Sequence, residues 1–178
     1  ASKALKGSNY TAPLKIHTEK PAPIALVLVP TRELATQVSR AFKVLNRMYS
    51  IRSVAVYGGK DKETQIEELN SNGGAHIIVA TPGRLLDLIG GRTISLKKVS
   101  YLVIDEADRM LMMGFFEQLQ AISNQVRPDR QALMFSATFP GKLRDAANDW
   151  IGQAVYIRCS TFEVGNGHEK NSAERDDS

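Results

Sequence analysis

Short apolar runs alternate along this chain with polar stretches of helical period. Residues 24–29 (I-A-L-V-L-V) are an unbroken apolar run, the pattern of a strand buried on both faces of a parallel sheet. Pro30 stops it, because a residue without an N–H cannot continue a central ladder. Over residues 32–48, Leu34, Val38, Phe42, Leu45 and Met48 recur at spacings of four, four, three and three, which predicts a helix with one apolar stripe against the sheet. A second strand at 53–57 runs into Gly58-Gly59, followed by a polar helix around 63–69, a turn at 71–74 and a third strand at 76–80. Thr81 is placed to cap the next helix, with Pro82 in its first turn and Gly90-Gly91 at its end. Strands are predicted at 101–104, 131–135 and 155–158, with helices at about 118–126 and 142–151. Pro140 opens the last of these helices. The alternation predicts a three-layer α/β fold, a mainly parallel β-sheet with helices on both faces.

Composition narrows the setting more than the chemistry. At 178 residues the chain suits one domain with a sizeable core. Residues 1–23 carry three prolines and no trusted period and read as an irregular arm, 24–158 form the body, and 159–178 turn polar, as in a disordered linker or tail. A net charge of +4 and a pI near 9.2 are mild and favour nucleic acid only slightly over an ordinary basic surface. Cys159 is the only cysteine, which excludes an internal disulfide and fits a reducing compartment. Neither a membrane-length apolar run nor a signal-peptide core is visible, so the expected location is cytoplasmic or nuclear. The Asn9-Tyr10-Thr11 acceptor pattern has no meaning without a secretory context. His17, His76 and His168 stand apart, so no histidine metal site is assigned. Met110, Met112 and Met113 read as core or loop filling, and Trp150 as a packing anchor.

Candidate chemistry gathers where strands end. Asp105 and Glu106 directly follow the apolar run 101–104, which also suits a strand buried on both faces of a parallel sheet. Desolvation bars them from the strand interior and places them at its carboxyl end, where open α/β sheets bind ligands. A carboxylate there can hold Mg²⁺ through water, and the next can orient an attacking water. A bare D-E pair closing a strand reads first as charged loop, since short motifs often match by chance. Its company decides: D-E-A-D at 105–108 is joined by P-T-R-E-L-A at 30–35, Gly58-Gly59, T-P-G-R at 81–84 and S-A-T at 136–138. As an ordered set spanning about residues 24–158, these resemble the signature blocks of the DEAD-box ATP-dependent RNA helicases.

The resemblance implies a RecA-like fold, the first of two such lobes, working with ATP and Mg²⁺ on RNA. It implies catalytic roles for Glu106 and for Asp105, which would hold Mg²⁺ through water, and cofactor binding by Asp105, Glu106 and Asp108. Asp108, with Ser136 and Thr138, would link the nucleotide site to RNA remodelling. Thr31, Arg32, Gly58, Gly59, Thr81, Gly83 and Arg84 would grip the RNA backbone without reading sequence. Local chemistry agrees: Arg32 and Arg84 each open a helix just after a strand, where amides and the helix dipole also favour phosphate, and glycines let a phosphate approach the main chain. Other readings stand beside these: an ion pair for Arg32, helix capping for Thr81, Ser136 and Thr138, and a generic turn for the two glycines.

Departures from the family pattern lie at the front. Residues 4–11 (A-L-K-G-S-N-Y-T) overlay a phosphate loop of the form A-x-x-G-S-G-K-T with Asn9 in place of a glycine and Tyr10 in place of the lysine. The glutamine-centred adenine-reading motif is not intact, and the second lobe lies outside these residues. The chain is therefore expected to be a monomeric fragment or incomplete member that binds RNA and meets a second lobe in the intact protein, with turnover by itself absent. The alternatives are a binding module for RNA or protein that has lost ATP turnover, and a structural α/β domain with relic motifs. Met112 stands where many relatives carry Asp.

Overall fold

The structure, a computed structural model, describes residues 22–151 and 155–159. Five strands, β1 (Ala25–Leu28), β2 (Ser53–Val56), β3 (Ile77–Ala80), β4 (Tyr101–Ile104) and β5 (Gln131–Met134), form one sheet in the order β2-β3-β1-β4-β5. Every pairing is parallel, and the register sets Leu28 beside both Ala80 and Ile104, Val56 beside Ala80, and Ile104 beside Met134. All five strands thus end at one edge, and whatever follows them is gathered there. The chain leaves β1 toward β2 and β4 toward β5, so the order reverses between β1 and β4, the place where open α/β sheets form a ligand crevice.

Alternation along the strands builds two cores. Leu26, Leu28, Val54, Val56, Ile78, Leu102 and Ile104 face α4 (Pro82–Gly90), α6 (Phe116–Ser123) and α7 (Gly141–Ile151), whose Leu85, Leu88, Ile122, Leu143 and Trp150 are buried with them. Val27, Val29, Ile77 and Val79 face α1 (Arg32–Ala41) and α2 (Lys43–Tyr49). The remaining helices are α3 (Lys62–Asn70), which adds Leu69 to the first core, and α5 (Ala107–Met112). This is the three-layer α/β arrangement.

Four local expectations need correction. The helix over 32–48 is two helices hinged at Phe42 (φ −72°, ψ −7°): Leu34, Val38, Phe42 and Leu45 stay against the sheet, and Met48 turns out to solvent. Residues 155–158 form no strand, and Val155 and Ile157 are exposed without a ladder partner among the described residues, while Tyr156 rests edge-on against Phe139. β4 is fully buried on one face only, since Tyr101 is 36% exposed and Val103 half-buried. Of the methionine cluster, Met110 alone is core, Met112 and Met113 being exposed. The arm and the tail lie outside the described residues except for Ala22, Pro23 and Cys159.

Candidate functional site

The buried apolar side chains of β4 carry the chain to Asp105 at the sheet edge, where its amide donates to the Leu28 carbonyl (3.0 Å) and extends the ladder by one bond. The Asp105 carboxylate accepts from the Glu106 amide (2.9 Å). Glu106 adopts a left-handed conformation (φ 51°, ψ 48°) and opens α5, while its carboxylate pairs with the Arg109 guanidinium at 3.0 Å. One half-buried carboxylate with a free oxygen is a poor cage for a cation by itself; among the described residues no group of three or more potential ligands forms. It does fit Mg²⁺, which keeps most of its water and takes one or two carboxylates together with phosphate.

One turn further on, Asp108 ties two strands together. Its carboxylate accepts from the Thr138 amide (2.9 Å) and hydroxyl (2.8 Å), and its amide donates to the Ser136 hydroxyl (3.1 Å), which in turn donates to the Thr138 carbonyl (2.7 Å). Burial raises the Asp108 carboxyl, but the bonds from Thr138, Ser136 and the Arg109 amide outweigh it and hold the group below its ordinary range. Ser136 and Thr138 therefore serve as partners of Asp108, and the helix after them starts beyond Pro140.

Toward β2 the edge becomes an open groove lined by Arg32, Glu33, Gln37, Arg40, Tyr57 and Lys60. Thr31 caps α1 by accepting from the Leu34 amide (3.3 Å), which aims Arg32 outward. Arg32 pairs with Glu33 at 2.6 Å, both exposed; the contact raises the arginine and lowers the glutamate. The Arg32 guanidinium also lies beside Gly59, 3.7 Å from where a Cβ would stand, and Gly59 has φ +83°. Gly58 and Gly59 are exposed, and their amides have no hydrogen-bond partner among the described residues. Lys60 pairs with Glu68.

Thr81 and Arg84 depart from the sequence reading. Thr81 occupies the cap position of α4, but its side chain makes no cap bond, leaving its hydroxyl uncommitted to capping. Gly83 has open space where a Cβ would be. Arg84 is turned inward: its side chain is 13% exposed, and it donates to the Lys60 carbonyl at 3.0 Å. It anchors the loop after β2, and its head is not free in the groove.

Thr31, Thr81, Asp105 and Ser136 all follow strand ends on the same edge, as expected. Two residues join the site that the sequence reading does not single out. Gln65 of α3 is fully buried against the loop after β2, and its signal is position: it stands four residues before buried Leu69, on the apolar side of a charged helix. Arg109 pairs with Glu106 three residues earlier, a spacing visible in the sequence once α5 is recognised.

Comparison with known proteins places this geometry. The sequence matches the DEAD/DEAH box helicase family over residues 8–146, beginning within the stretch that overlays the phosphate loop. It is 45% identical over 146 residues to the ATP-dependent RNA helicase DBP2 of Candida glabrata, covering 82% of this chain and 26% of that protein. It is 44% identical to the ATP-dependent RNA helicase p62 of Drosophila melanogaster, covering 82% of this chain and 20% of the relative. The chain thus spans only a fraction of these relatives' length. The fold superposes on the crystal structure of a DEAD box protein from Methanococcus jannaschii with a TM-score of 0.70 at 40% identity, covering 76% of this chain and 36% of that one. Five parallel strands delivering D-E-A-D, S-A-T and the threonine-arginine blocks to one edge, with this similarity over most of the length, establish that the chain belongs to the DEAD/DEAH box helicase family.

Proposed function

We propose that this domain is the first RecA-like lobe of an ATP-dependent RNA helicase, holding an RNA backbone in the groove beside Gly59 and coupling it to a nucleotide site at Asp105. The observation that carries the reading is the Asp108–Thr138 pair at 2.8 Å, which joins the D-E-A-D turn to the S-A-T loop across neighbouring strands. Bound Mg²⁺ would neutralise developing phosphate charge. Asp105 is suited to hold it through water, and Glu106, released from Arg109, to orient the attacking water. Arg32 and the Gly58-Gly59 amides supply phosphate contacts, and Arg84 acts through the loop that it anchors. Thr31, Thr81 and Gly83 line the same edge and complete the backbone grip. The lobe works as a monomer that closes on a second RecA-like lobe, in the cytoplasm or nucleus. No helix of the described residues is long and apolar enough to cross a membrane.

Binding that rests on phosphate contacts is indifferent to sequence and falls with salt. Fluorescence anisotropy with several single-stranded RNA oligonucleotides at two salt concentrations tests this: Arg32→Ala should weaken all of them similarly, and a strong preference for one sequence would refute it. On the nucleotide side, Asn9 and Tyr10 replace the glycine and lysine of the phosphate loop, so phosphate release by this chain with saturating RNA is expected to match its Glu106→Gln variant. Turnover that the variant abolishes would overturn that expectation.

A further inference from the structure

Gln65 is 0% exposed although it lies in a helix whose other polar residues reach solvent. A buried amide is costly unless both of its ends are met, and these are. Its side-chain oxygen accepts from the Tyr57 amide at 2.9 Å, and its nitrogen donates to the Tyr57 carbonyl at 3.0 Å, with longer contacts of 3.4 Å to the carbonyls of Lys60 and Asp61. Tyr57 is the first residue beyond β2, an edge strand whose ladder ends at Val56. Gln65 therefore replaces a missing neighbouring strand for one residue and then holds the loop that follows. Arg84 reaches the same Lys60 carbonyl from α4. Between these anchors the chain is fixed with Gly59 at φ +83°, both glycines exposed with amides unbonded among the described residues, and Arg32 alongside.

We propose that Gln65 is a positioning residue for phosphate binding: by pairing with both backbone groups of Tyr57 it sets the Gly58-Gly59 loop so that its amides and Arg32 converge on one RNA phosphate. The proposal rests on the reading of this domain as an RNA-binding helicase lobe. A side chain that merely filled the space under the loop would serve equally well if it were apolar; the position demands a donor and an acceptor together. Methionine matches glutamine in length and supplies neither. Glutamate supplies only acceptors until it is protonated, when its carboxyl offers one of each.

The test combines hydrogen exchange with RNA binding on the full chain. In Gln65→Met the Tyr57 amide should lose its protection while the amides of β1 and β3 keep theirs. Affinity for single-stranded RNA should fall about tenfold or more, as when a hydrogen bond to a charged group is removed. The salt dependence should become shallower by roughly 0.7 in log–log slope for each phosphate that the protein no longer touches. If Gln65→Met does not fold, Gln65→Glu replaces it, with RNA binding and Tyr57 protection recovering as acid protonates the buried carboxyl. Wild-type protection of Tyr57 in the variant overturns the clamp. A deprotected Tyr57 amide with unchanged affinity and salt slope leaves Gln65 a stability residue and overturns its positioning role. Failure of the unmutated chain to bind RNA overturns the helicase-lobe reading and this role with it, whatever the exchange data show.

Discussion

Two loops at the same sheet edge are held by opposite kinds of chemistry. The loop after β2 hangs from Gln65, a neutral buried side chain, and from the inward-turned Arg84. The loop after β5 hangs from Asp108, an ionised carboxylate. A neutral amide pairs equally well at any pH at which the protein is folded, whereas the carboxylate works only while it is charged. One loop is thus built for constancy, and the other has a strength that depends on charge.

The largest effect that could break this contrast is at Gln65. Gln65→Leu should cost about 3 kcal/mol, since it strands the amide and carbonyl of Tyr57 and each unmet group costs about 1–3 kcal/mol. The penalty should be the same in denaturant unfolding at pH 7 and near pH 4; a pH-dependent penalty would erase the distinction. Asp108→Asn comes next, at about 1 kcal/mol near neutrality, because an amide can keep only part of the carboxylate's bonding. The folded carboxyl is depressed by its hydrogen bonds, so its contribution is complete above the unfolded value of about 3.9 and fades as pH falls through the lower folded value. Wild type and variant should therefore converge in strong acid, and parallel curves would show that Asp108 does not act through its charge.

A smaller pH effect belongs to neither loop and calibrates both. His76 accepts from the Arg52 amide at 3.0 Å, and burial, aided by the Arg52 charge, lowers its affinity for protons. Stability should then decline as pH drops below the unfolded value of about 6.5, ceasing to change below the folded one. His76→Gln should flatten that segment of the unfolding curve and leave the acid limb from Asp108 in place. Smallest of all is the stability effect of Arg32→Ala: its pair with Glu33 is exposed, so the melting temperature should not move while RNA affinity falls. A clear drop in melting temperature would mean that Arg32 shapes its loop instead of serving the ligand.

Strand identity is legible in the sequence because an apolar run such as 24–29 has few other places to go, and strand ends then locate Asp105, Thr31, Thr81 and Ser136 without coordinates. What is not legible depends on contacts remote in sequence. Residues 155–158 have the alternation of a strand, but pairing needs a neighbour, and Val155 and Ile157 find none among the described residues. The hinge at Phe42 leaves no mark in the spacing, because steps of four, four, three and three keep one stripe on a straight helix as readily as on a broken one. Arg84 carries the right chemistry for phosphate, but its direction is set by the Lys60 carbonyl, 24 residues away. Gln65 is hidden because a polar letter in a polar helix reads as surface until burial shows otherwise.

The left-handed backbone at Glu106 sets the acidic turn against its own fold. For a residue with a side chain that conformation costs about 1–2 kcal/mol, and glycine escapes the cost. Glu106→Gly is therefore a substitution that can raise stability while deleting the carboxylate. Selection for folding alone would drift toward glycine here, so under the proposed water-orienting role of Glu106 foldability and chemistry pull in different directions. A library sorted for thermal resistance should enrich glycine at position 106, and one sorted for function in the intact protein should purge it.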